Sequence, residues 1–235
     1  VVFVPDFETA KLFFDKYKMY QFLVENNIDT PLTFDNISNF KLAQEAGKVN
    51  FPVFVKPRTG SGSVGAIKVK EENELNLLFN NDPTLIIQEF MDCDDIDVDV
   101  YVDIFSHEAI SAFAKNKIET KIGGANKTIS FIDNYLFELI QSIVRLFTFR
   151  GTIDIDFFYR NGKYYLSEIN PRFGGGYIHA YGAGVDFIKL IQNNLQGLSN
   201  KPSFGNYPEN HVMMMYDSAI FQQDDKLFDL DIRNL

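Results

Sequence analysis

Two groups of residues in this sequence have the types and the spacing that chemistry requires. The first is a set of oxygen donors, Asp156, Glu168 and Asn170, in two alternating segments on either side of a turn. Carboxylate and amide oxygens suit Mg²⁺, which keeps several waters and shares its coordination shell with substrate phosphates. The second group is the glycine-rich stretch Gly60–Gly65, which Lys56 precedes. Glycine lets a backbone approach phosphates closely, and a nearby ammonium group could lie over the same phosphates.

The glycine-rich stretch Gly60–Gly65 has the pattern G-x-G-x-x-G, but it fits neither of two common nucleotide motifs. A dinucleotide fingerprint needs a helix after the glycines, whereas 66–70 alternates like a strand. A Walker A motif needs Lys and then Ser or Thr, and Ala66 follows the last glycine instead. We therefore predict a flexible loop between two antiparallel strands that holds phosphates, with a plain Gly/Ser hairpin as the alternative.

The oxygen donors lie on a predicted hairpin, 152–159 with 163–169. Strand side chains alternate with period two, so Asp156 and Glu168 can share a metal only if the turn places them on one face. The sequence leaves open whether Asp154 or Asp156 is the first metal ligand. A solvated acidic strand face is the alternative, since the net charge of the chain is −10.

The length of the turn in this hairpin decides whether Asp156 and Glu168 point to the same face. With a two-residue Asn161-Gly162 turn, Arg160 would face Lys163 and the two acids would point to opposite faces. A three-residue loop that adds Arg160 instead pairs Tyr159 with Lys163 and places the acids on one face. We predict the three-residue loop, with Gly162 in the left-handed conformation.

Helical and alternating segments are mixed along the chain. Helices are predicted from 13 to about 25–27, from 36–38 to Gly47, around 74–79 and across 132–147. Strands are predicted at 51–55, 66–70, 84–90, 97–103 and 108–114, besides the hairpin. Several strand pairs are joined by turns too short for crossovers, which favours an α+β fold over a doubly wound parallel sheet.

Composition excludes several classes of protein. The chain has 235 residues, of which 46% are hydrophobic and 23% charged, as in folded globular proteins. A single cysteine, Cys93, excludes an intramolecular disulfide and a multi-cysteine zinc site. With 22 Lys and Arg against 32 Asp and Glu, the surface argues against a nucleic-acid partner. No apolar run approaches the ~20 residues of a membrane span and no signal peptide is recognised, so we expect a cytoplasmic protein without a membrane partner.

Two further groups of residues have candidate roles. Lys115, Lys117, Lys121 and Lys127 flank Gly123-Gly124 in a stretch predicted to loop over a cleft. Lys117 in particular could engage phosphate or a carboxylate substrate, and a basic surface loop is the alternative. His179, after a triple glycine, could act on substrate or be structural. The run 213–215, Met-Met-Met, is predicted to be a buried strand.

The order of these motifs resembles the ATP-grasp superfamily, which includes the carbamoyl-phosphate synthetase large subunit, biotin carboxylase and D-alanine–D-alanine ligase. The resemblance runs from about Lys16 to about Phe187 and rests on the lysine and glycine motifs, Ile86–Met91, the metal donors and Asn170-Pro171-Arg172. The segment from Phe173 to His179 is similar to stand-alone carbamoyl-phosphate-synthetase-like proteins.

The resemblance implies an ATP-grasp fold, in which two α+β subdomains grip ATP between them. The implied division is 1–10 as the remnant of a preceding α/β domain, 11–90 as the lid-side subdomain, 91–195 as the catalytic subdomain and 196–235 as a tail. Val1–Asp6 resembles only the last strand of the preceding domain, and no methionine begins the chain. We therefore expect an upstream part, with the acceptor-binding residues, to be missing.

The resemblance also implies roles for individual residues. Arg172 would hold the transferred phosphate or the acyl phosphate, and Asp95 would hold the ribose where the family usually has glutamate. The residues implied for ATP are Lys16, Lys56, Gly60, Ser61, Gly62, Ser63, Val64, Gln88, Glu89, Phe90, Met91 and Asp95. Those implied for the metal are Asp156, Glu168 and Asn170.

The function implied is that of an ADP-forming carboxylate–amine ligase. ATP and Mg²⁺, for which Mn²⁺ could substitute, would convert a small carboxylate to an acyl phosphate, and an amine would then displace the phosphate. The alternative is a domain that binds ATP without turnover, or that forms part of a larger carbamoyl-phosphate-synthetase-like assembly. Neither the acid, the amine nor homo-oligomerisation follows from the sequence.

Overall fold

The structure is a computed structural model that describes residues 2–60, 65–121, 124–216, 220–223 and 226–229. Ser61, Gly62, Ser63 and Val64 of the glycine-rich stretch lie outside the described residues, as does Gly123. None of the described helices is both long enough and apolar enough to cross a membrane.

Helices and strands alternate irregularly along the described chain. The helices are α1 (Phe7–Phe14), α2 (Lys16–Glu25), α3 (Ile37–Glu45), α4 (Glu72–Asn81), α5 (Asn134–Val144), α6 (Tyr177–Gly182) and α7 (Phe187–Leu195). The first strands are β1 (Thr33–Phe34), β2 (Val53–Pro57), β3 (Ile67–Val69), β4 (Leu85–Glu89), β5 (Asp94–Val102), β6 (Ala109–Lys121) and β7 (Gly124–Phe131). The others are β8 (Gly151–Arg160), β9 (Lys163–Asn170), β10 (Ser203–Phe204), β11 (Val212–Met214), β12 (Ile220–Gln223) and β13 (Lys226–Asp229).

The strands form two sheets of unequal size and one small ribbon. The smaller sheet has the order β1-β4-β2-β3, and the larger has β11-β7-β6-β5-β8-β9 with β10 beside β6. β12 and β13 pair with each other. Apart from the parallel β10–β6 pair, all the described pairings are antiparallel. The α+β class predicted from the short turns is confirmed.

Each sheet has its own hydrophobic core. The core of the smaller sheet contains Val53, Val55 and Leu75, and its helices α3 and α4 cover it. The core of the larger sheet includes α5 together with Phe13 of α1 and Leu23 of α2. Phe13 and Leu23 therefore pack on the larger sheet, whereas the domain boundaries at 10/11, 90/91 and 195/196 stay predictions.

The N-terminal part of the chain differs from the prediction of a strand within 1–6 and a single helix from 13. Residues 2–6 contain no strand, and α1 begins after Asp6, whose carboxylate accepts a hydrogen bond from the backbone N–H of Thr9. The single helix predicted from 13 is broken at Asp15. This residue caps α2, and its backbone forms an isolated bridge with Thr59. The bridge ties the start of α2 to the smaller sheet, which a helical periodicity cannot reveal.

The hairpin of β8 and β9 has the two-residue turn, so the three-residue loop predicted for it is wrong. Arg160 pairs with Lys163, and Asn161 and Gly162 have φ values of 53° and 80°. The predicted left-handed Gly162 is present. The pairing register shifts between Phe157 and Asp156, because Ser167 is an extra residue that forms a bulge in β9. Beyond this bulge, Asp156 lies directly opposite Glu168. The bulge restores the shared face that the turn alone would have removed.

Lys115, Lys117, Lys121 and Lys127 lie on strands, because β6 extends to Lys121 and β7 begins at Gly124, so the loop predicted for these four lysines is wrong. Lys115 faces inward and is fully buried. Met214 and Met215 are 65% and 39% exposed on the edge of the larger sheet, so the expected burial of 213–215 is wrong for these two.

The turn geometry leads to a stability prediction for Gly162→Ala. A Cβ atom would meet no atom within 4 Å, but the residue would be held at φ 80°. We expect the free energy of unfolding to fall by about 1–2 kcal/mol because of the left-handed backbone. Urea unfolding measures it.

Gly182→Ala is the matched control for this substitution. Gly182 ends α6, has no positive φ and also has nothing within 4 Å of an added Cβ. Alanine favours helix over glycine, so we expect equal or greater stability. Equal losses in both variants would contradict a conformational cause.

Candidate active site

The principal cavity of the described structure, about 700 Å³, lies between the two sheets. Lys56 of β2 and Gln88 of β4 line it from the smaller sheet, and residues of β5 to β9 line it from the larger one. The residues that the sequence predicted and that line this cavity are Lys16, Lys56, Gly60, Gln88, Asp95, Lys117, Asp156, Glu168, Asn170 and Arg172. Residues far apart in the chain thus face one space large enough for a nucleotide.

Two lysines reach the cavity from the side of the smaller sheet, and hydrogen bonds hold their ammonium groups. The ammonium group of Lys56 donates to Gln88 Oε1 at 2.8 Å, and Gln88 Nε2 donates to Thr33 Oγ1 at 3.1 Å. Burial lowers the pKa of Lys56 to about 8, although the carboxylate of Glu168 opposes this. The ammonium group of Lys16 donates to the backbone oxygen of Gly60, next to the glycine-rich stretch.

The metal-type oxygens lie on the opposite wall. Asp156 faces Glu168 and Asp154 faces Asn170 across β8 and β9. The side chains of Glu168 and Asn170 are half-buried and form no hydrogen bond or ion pair within the described part of the chain. Free oxygens of this type at one wall of the cavity fit the coordination chemistry of Mg²⁺.

Asp156 has a cation beside it already. The ammonium group of Lys117 lies 2.5 Å from Asp156 Oδ1 and 2.9 Å from Asp95 Oδ1. Burial raises the pKa of Asp156 to about 6, against the effect of Lys117. Lys117 therefore bridges the predicted ribose acid and the predicted metal acid.

A buried ionic cluster underlies this wall. Its lysine, Lys115, lies 2.9 Å from Asp97 Oδ1 and 2.5 Å from Asp99 Oδ2, and all three side chains are buried. Burial would lower the pKa of Lys115, but the two carboxylates outweigh it and raise the pKa. Asp97, Asp99 and Asp154 also offer oxygens within 4.8 Å of one another, as in a metal site. The ammonium group of Lys115 already supplies a positive charge among these oxygens, so we assign to it the place that a metal ion would take.

The carboxyl groups of the cluster do not share one charge state. Burial, reinforced by the charges of Asp97 and Asp156, raises the pKa of Asp154 to about 9. For Asp97, the ammonium groups of Lys115 and Lys117 outweigh burial and hold the pKa below its usual value. Asp154 is therefore the carboxyl group of this cluster that most readily holds a proton, and a proton there reduces the repulsion between these neighbours.

The motifs in the sequence do not include Asp97 or Asp99 and do not predict the burial of Lys115, although a signal for them exists. Asp95, Asp97 and Asp99 alternate along β5, and Lys115 and Lys117 alternate along β6. Alternate residues of a strand share a face, and β5 pairs with β6 so that Asp97 lies opposite Lys115. Two facing rows of opposite charge were thus present in the sequence.

The segment after Arg172 lies directly on this cluster. A Cβ atom at Gly174 would lie 2.6 Å from Asp99 Oδ1 and 2.8 Å from Asp154 Oδ1. One at Gly176 would lie 3.0 Å from Lys115 Cε. The glycines therefore allow the backbone to approach, and Arg172 Nη1 donates to Asp154 Oδ2 at 3.1 Å.

Some predicted residues do not line the cavity. Phe90 and Met91 lie outside its lining, and Met91 is buried. The carboxylate of Glu89 is engaged elsewhere, with Arg160 Nη2 at 2.9 Å and the backbone N–H of Leu32 at 3.3 Å. The Glu89 carboxylate is thus held by these two donors, outside the lining of the cavity.

His179 is buried, with 1% of its surface exposed, and does not line the cavity. Its Nδ1 lies 2.6 Å from Thr128 Oγ1, and its Nε2 lies 3.1 Å from Nδ1 of His211. Burial, Lys115 and His211 lower the pKa of His179 to about 4, so it is neutral at physiological pH. These contacts favour the structural alternative for His179.

Residues 13–176 match the ATP-grasp domain family, and the chain belongs to that family. Among curated proteins, the carbamoyl phosphate synthase arginine-specific large chain of Bacillus subtilis is 22% identical over 207 residues, covering 83% of this chain and 20% of its own length. A D-alanine–D-alanine ligase of Prochlorococcus marinus is 29% identical over 181 residues, covering 68% of this chain and 50% of its own length. The chain thus spans half or less of these curated relatives.

Solved structures show the same fold. The biotin carboxylase domain dimer of Hydrogenobacter thermophilus 2-oxoglutarate carboxylase, in complex with MgADP, ADP and bicarbonate, superposes with a TM-score of 0.72 and 17% identity, over 89% of this chain and 51% of that chain. N5-carboxyaminoimidazole synthetase from Staphylococcus aureus, complexed with ADP, has a TM-score of 0.69 and 18% identity, over 85% of this chain and 56% of that chain.

The close approach at Gly174 yields a prediction. In Gly174→Ala the new methyl group must displace Asp99, Asp154 or the backbone, so we expect a loss of about 1–3 kcal/mol in the free energy of unfolding. Gly175→Ala is the matched control, because nothing lies within 4 Å of its Cβ and its φ is not positive. We expect a change within about 0.5 kcal/mol there. If urea unfolding showed Gly174→Ala to be as stable as Gly175→Ala, the cluster would not constrain this segment.

Proposed function

We propose that this chain uses ATP and Mg²⁺ to activate a small carboxylate as an acyl phosphate, which an amine then attacks to give the ligated product, ADP and phosphate. The observation that carries the proposal is the composition of one cavity. Lys16 and Lys56 face oxygen donors on β8 and β9 across a space of about 700 Å³, and Lys117 and Arg172 lie beside those donors on the same wall. Membership of the ATP-grasp family supports it, because the relatives include ligases that form C–N bonds.

The lysines would bind the triphosphate. Lys56 and Lys16 approach the cavity from the smaller sheet, and the glycine-rich stretch follows Lys56 in the chain. Binding of a phosphate would favour the charged form of Lys56, whose pKa burial has lowered to about 8. Asp95 and the backbone near Gln88 would hold the nucleoside.

The oxygen donors of β8 and β9 would hold the metal. Asp156, Glu168 and Asn170 are the proposed ligands, and when bound the ion neutralises charge that develops on the transferred phosphoryl group. Lys117 contacts Asp156 through Oδ1, so Oδ2 of the same carboxylate would be available to the ion.

Arg172 would hold the reacting end of the substrate. It is more than half exposed, at 55%, and one of its Nη atoms bonds to Asp154 Oδ2, so the other donors of its guanidinium group can reach an anion in the cavity. This position suits a carboxylate or the acyl phosphate derived from it.

A second candidate function is nucleotide binding without turnover. The observation in its favour is coverage: the chain spans about half of the D-alanine–D-alanine ligase and a fifth of the carbamoyl phosphate synthase chain. Residues that bind the acceptor in those proteins could have no counterpart in this chain. ADP formation in the presence of a panel of carboxylates and amines distinguishes the two functions.

Binding of ATP is the most direct prediction of the proposed function. ATP with Mg²⁺ at about 100 times its Kd should raise Tm by about 5–10 °C, since a ligand that binds only the folded state stabilises it. Differential scanning fluorimetry measures this shift. No shift at millimolar ATP and Mg²⁺ would exclude both candidate functions.

Lys56→Ala tests the assignment of the phosphate lysine. We expect ATP affinity to fall by about 10- to 100-fold, as for the loss of a charged hydrogen bond, while Tm without ligand changes little. Lys70→Ala removes the same charge from an exposed residue that does not line the cavity, and its affinity should be unchanged. Equal affinities in the two variants would remove Lys56 from the site.

Glu168→Gln tests the metal wall. The amide keeps the size of the side chain but removes a charge, so we expect kcat for ADP formation to fall by about 100-fold or more, with a much smaller change in ATP affinity. Glu138→Gln, on the exposed face of α5, is the control and should keep full activity. Unchanged turnover in Glu168→Gln would move the metal elsewhere, with Asp154 the first alternative.

A further inference from the structure

A second, smaller cavity of about 190 Å³ lies beside the start of α7. It shares no lining residue with the principal cavity, so it is a separate space. Its lining comes from β6, from the first turn of α7 and from the segment 201–207. Nothing in the proposed ligase reaction uses these residues.

The hydroxyl group of a buried residue opens on this space. Ser111 of β6 is 7% exposed and lines the cavity, and its hydroxyl forms no hydrogen bond with any other described residue. The oxygen atom itself is not sealed from the cavity, so the hydroxyl can donate to a molecule that binds there.

Two cations border the same space. Lys189 and Lys201 line it, and within the described part of the chain neither forms an ion pair. The acid beside them, Asp186, caps α7, with its Oδ1 accepting the backbone N–H of Lys189 at 3.1 Å. A local excess of positive charge therefore lies at this cavity, in a chain whose net charge is −10.

The walls of the cavity are held in place by buried hydroxyl groups. Tyr177 Oη donates to the backbone oxygen of Val185 at 3.3 Å and accepts from the N–H of Phe187 at 2.7 Å, on either side of Asp186. On the floor, Tyr207 Oη donates to Phe131 O at 2.8 Å. A pre-formed wall lowers the entropy lost when a ligand binds.

We propose that this cavity binds the phosphate or carboxylate group of a small metabolite, held by Lys189, Lys201 and the Ser111 hydroxyl. Its volume is below the ~300 Å³ at which cavities begin to hold drug-sized ligands, so a small anion fits and a nucleotide does not. The site is independent of the proposed ligase reaction, because the two cavities have no residue in common.

The test is an NMR titration of the full chain with inorganic phosphate and, separately, with succinate, at constant ionic strength. Amide resonances of residues 184–190 should shift saturably with one or both probes, and the probe that binds identifies the group. Lys189→Ala combined with Lys201→Ala should weaken binding at least about tenfold, and Ser111→Ala about threefold. No saturable shift with either probe would overturn the proposal.

Two control variants distinguish binding at this cavity from an effect of net charge and from binding in the principal cavity. Lys48→Ala combined with Lys70→Ala removes the same charge from exposed positions outside the cavity, and should leave the affinity unchanged. Equal weakening in this control would reduce the effect to net charge and overturn the proposal. Lys56→Ala should also leave binding unchanged, and loss of the shifts there would place the anion in the principal cavity instead. Tm of each variant without ligand verifies that it is folded.

Discussion

The buried ammonium group of Lys115 is the charge on which the cavity-facing side of the larger sheet depends. It lies between Asp97 and Asp99, and an unpaired carboxylate at such depth would cost several kcal/mol. Gly174 and Gly176 pack on this cluster with no room for side chains. That packing carries Arg172 to within hydrogen-bond distance of Asp154. One internal cation thus helps to position the acids, the glycine segment and the arginine.

The cavity exists because two separately cored sheets face each other, each supplying half of the chemistry. The smaller-sheet side contributes the lysines that are proposed to bind phosphate, and the larger sheet contributes oxygen donors together with Lys117 and Arg172. The Asp15–Thr59 bridge and the ion pair between Arg58 and Asp15, at 2.8 Å, join the start of α2 to the smaller sheet. Lys16 follows directly, so its place at the cavity depends on contacts between the two halves of the fold.

Family membership defines the architecture, but not the substrates. ATP-grasp relatives of this chain include ligases with different acids and acceptors, and identities of 17–29% are compatible with any of them. This chain has a carboxyl-rich wall, with Asp97 and Asp154 beside the proposed metal ligands, and a buried His179 outside the cavity lining.

The sequence by itself determined the α+β class, because period-two and helical patterns and short turns are local properties. The order of its motifs indicated the family by resemblance, and that resemblance implied most of the residues that meet at the cavity. It also predicted a left-handed Gly162. Only the tertiary structure decided the hairpin register, since the Ser167 bulge compensates for a two-residue turn and no local rule specifies a bulge. The tertiary structure also decided that Lys115 and His179 are buried. Whether a lysine or a histidine is buried depends on partners from distant strands, whose charges and hydrogen bonds offset the cost of leaving water.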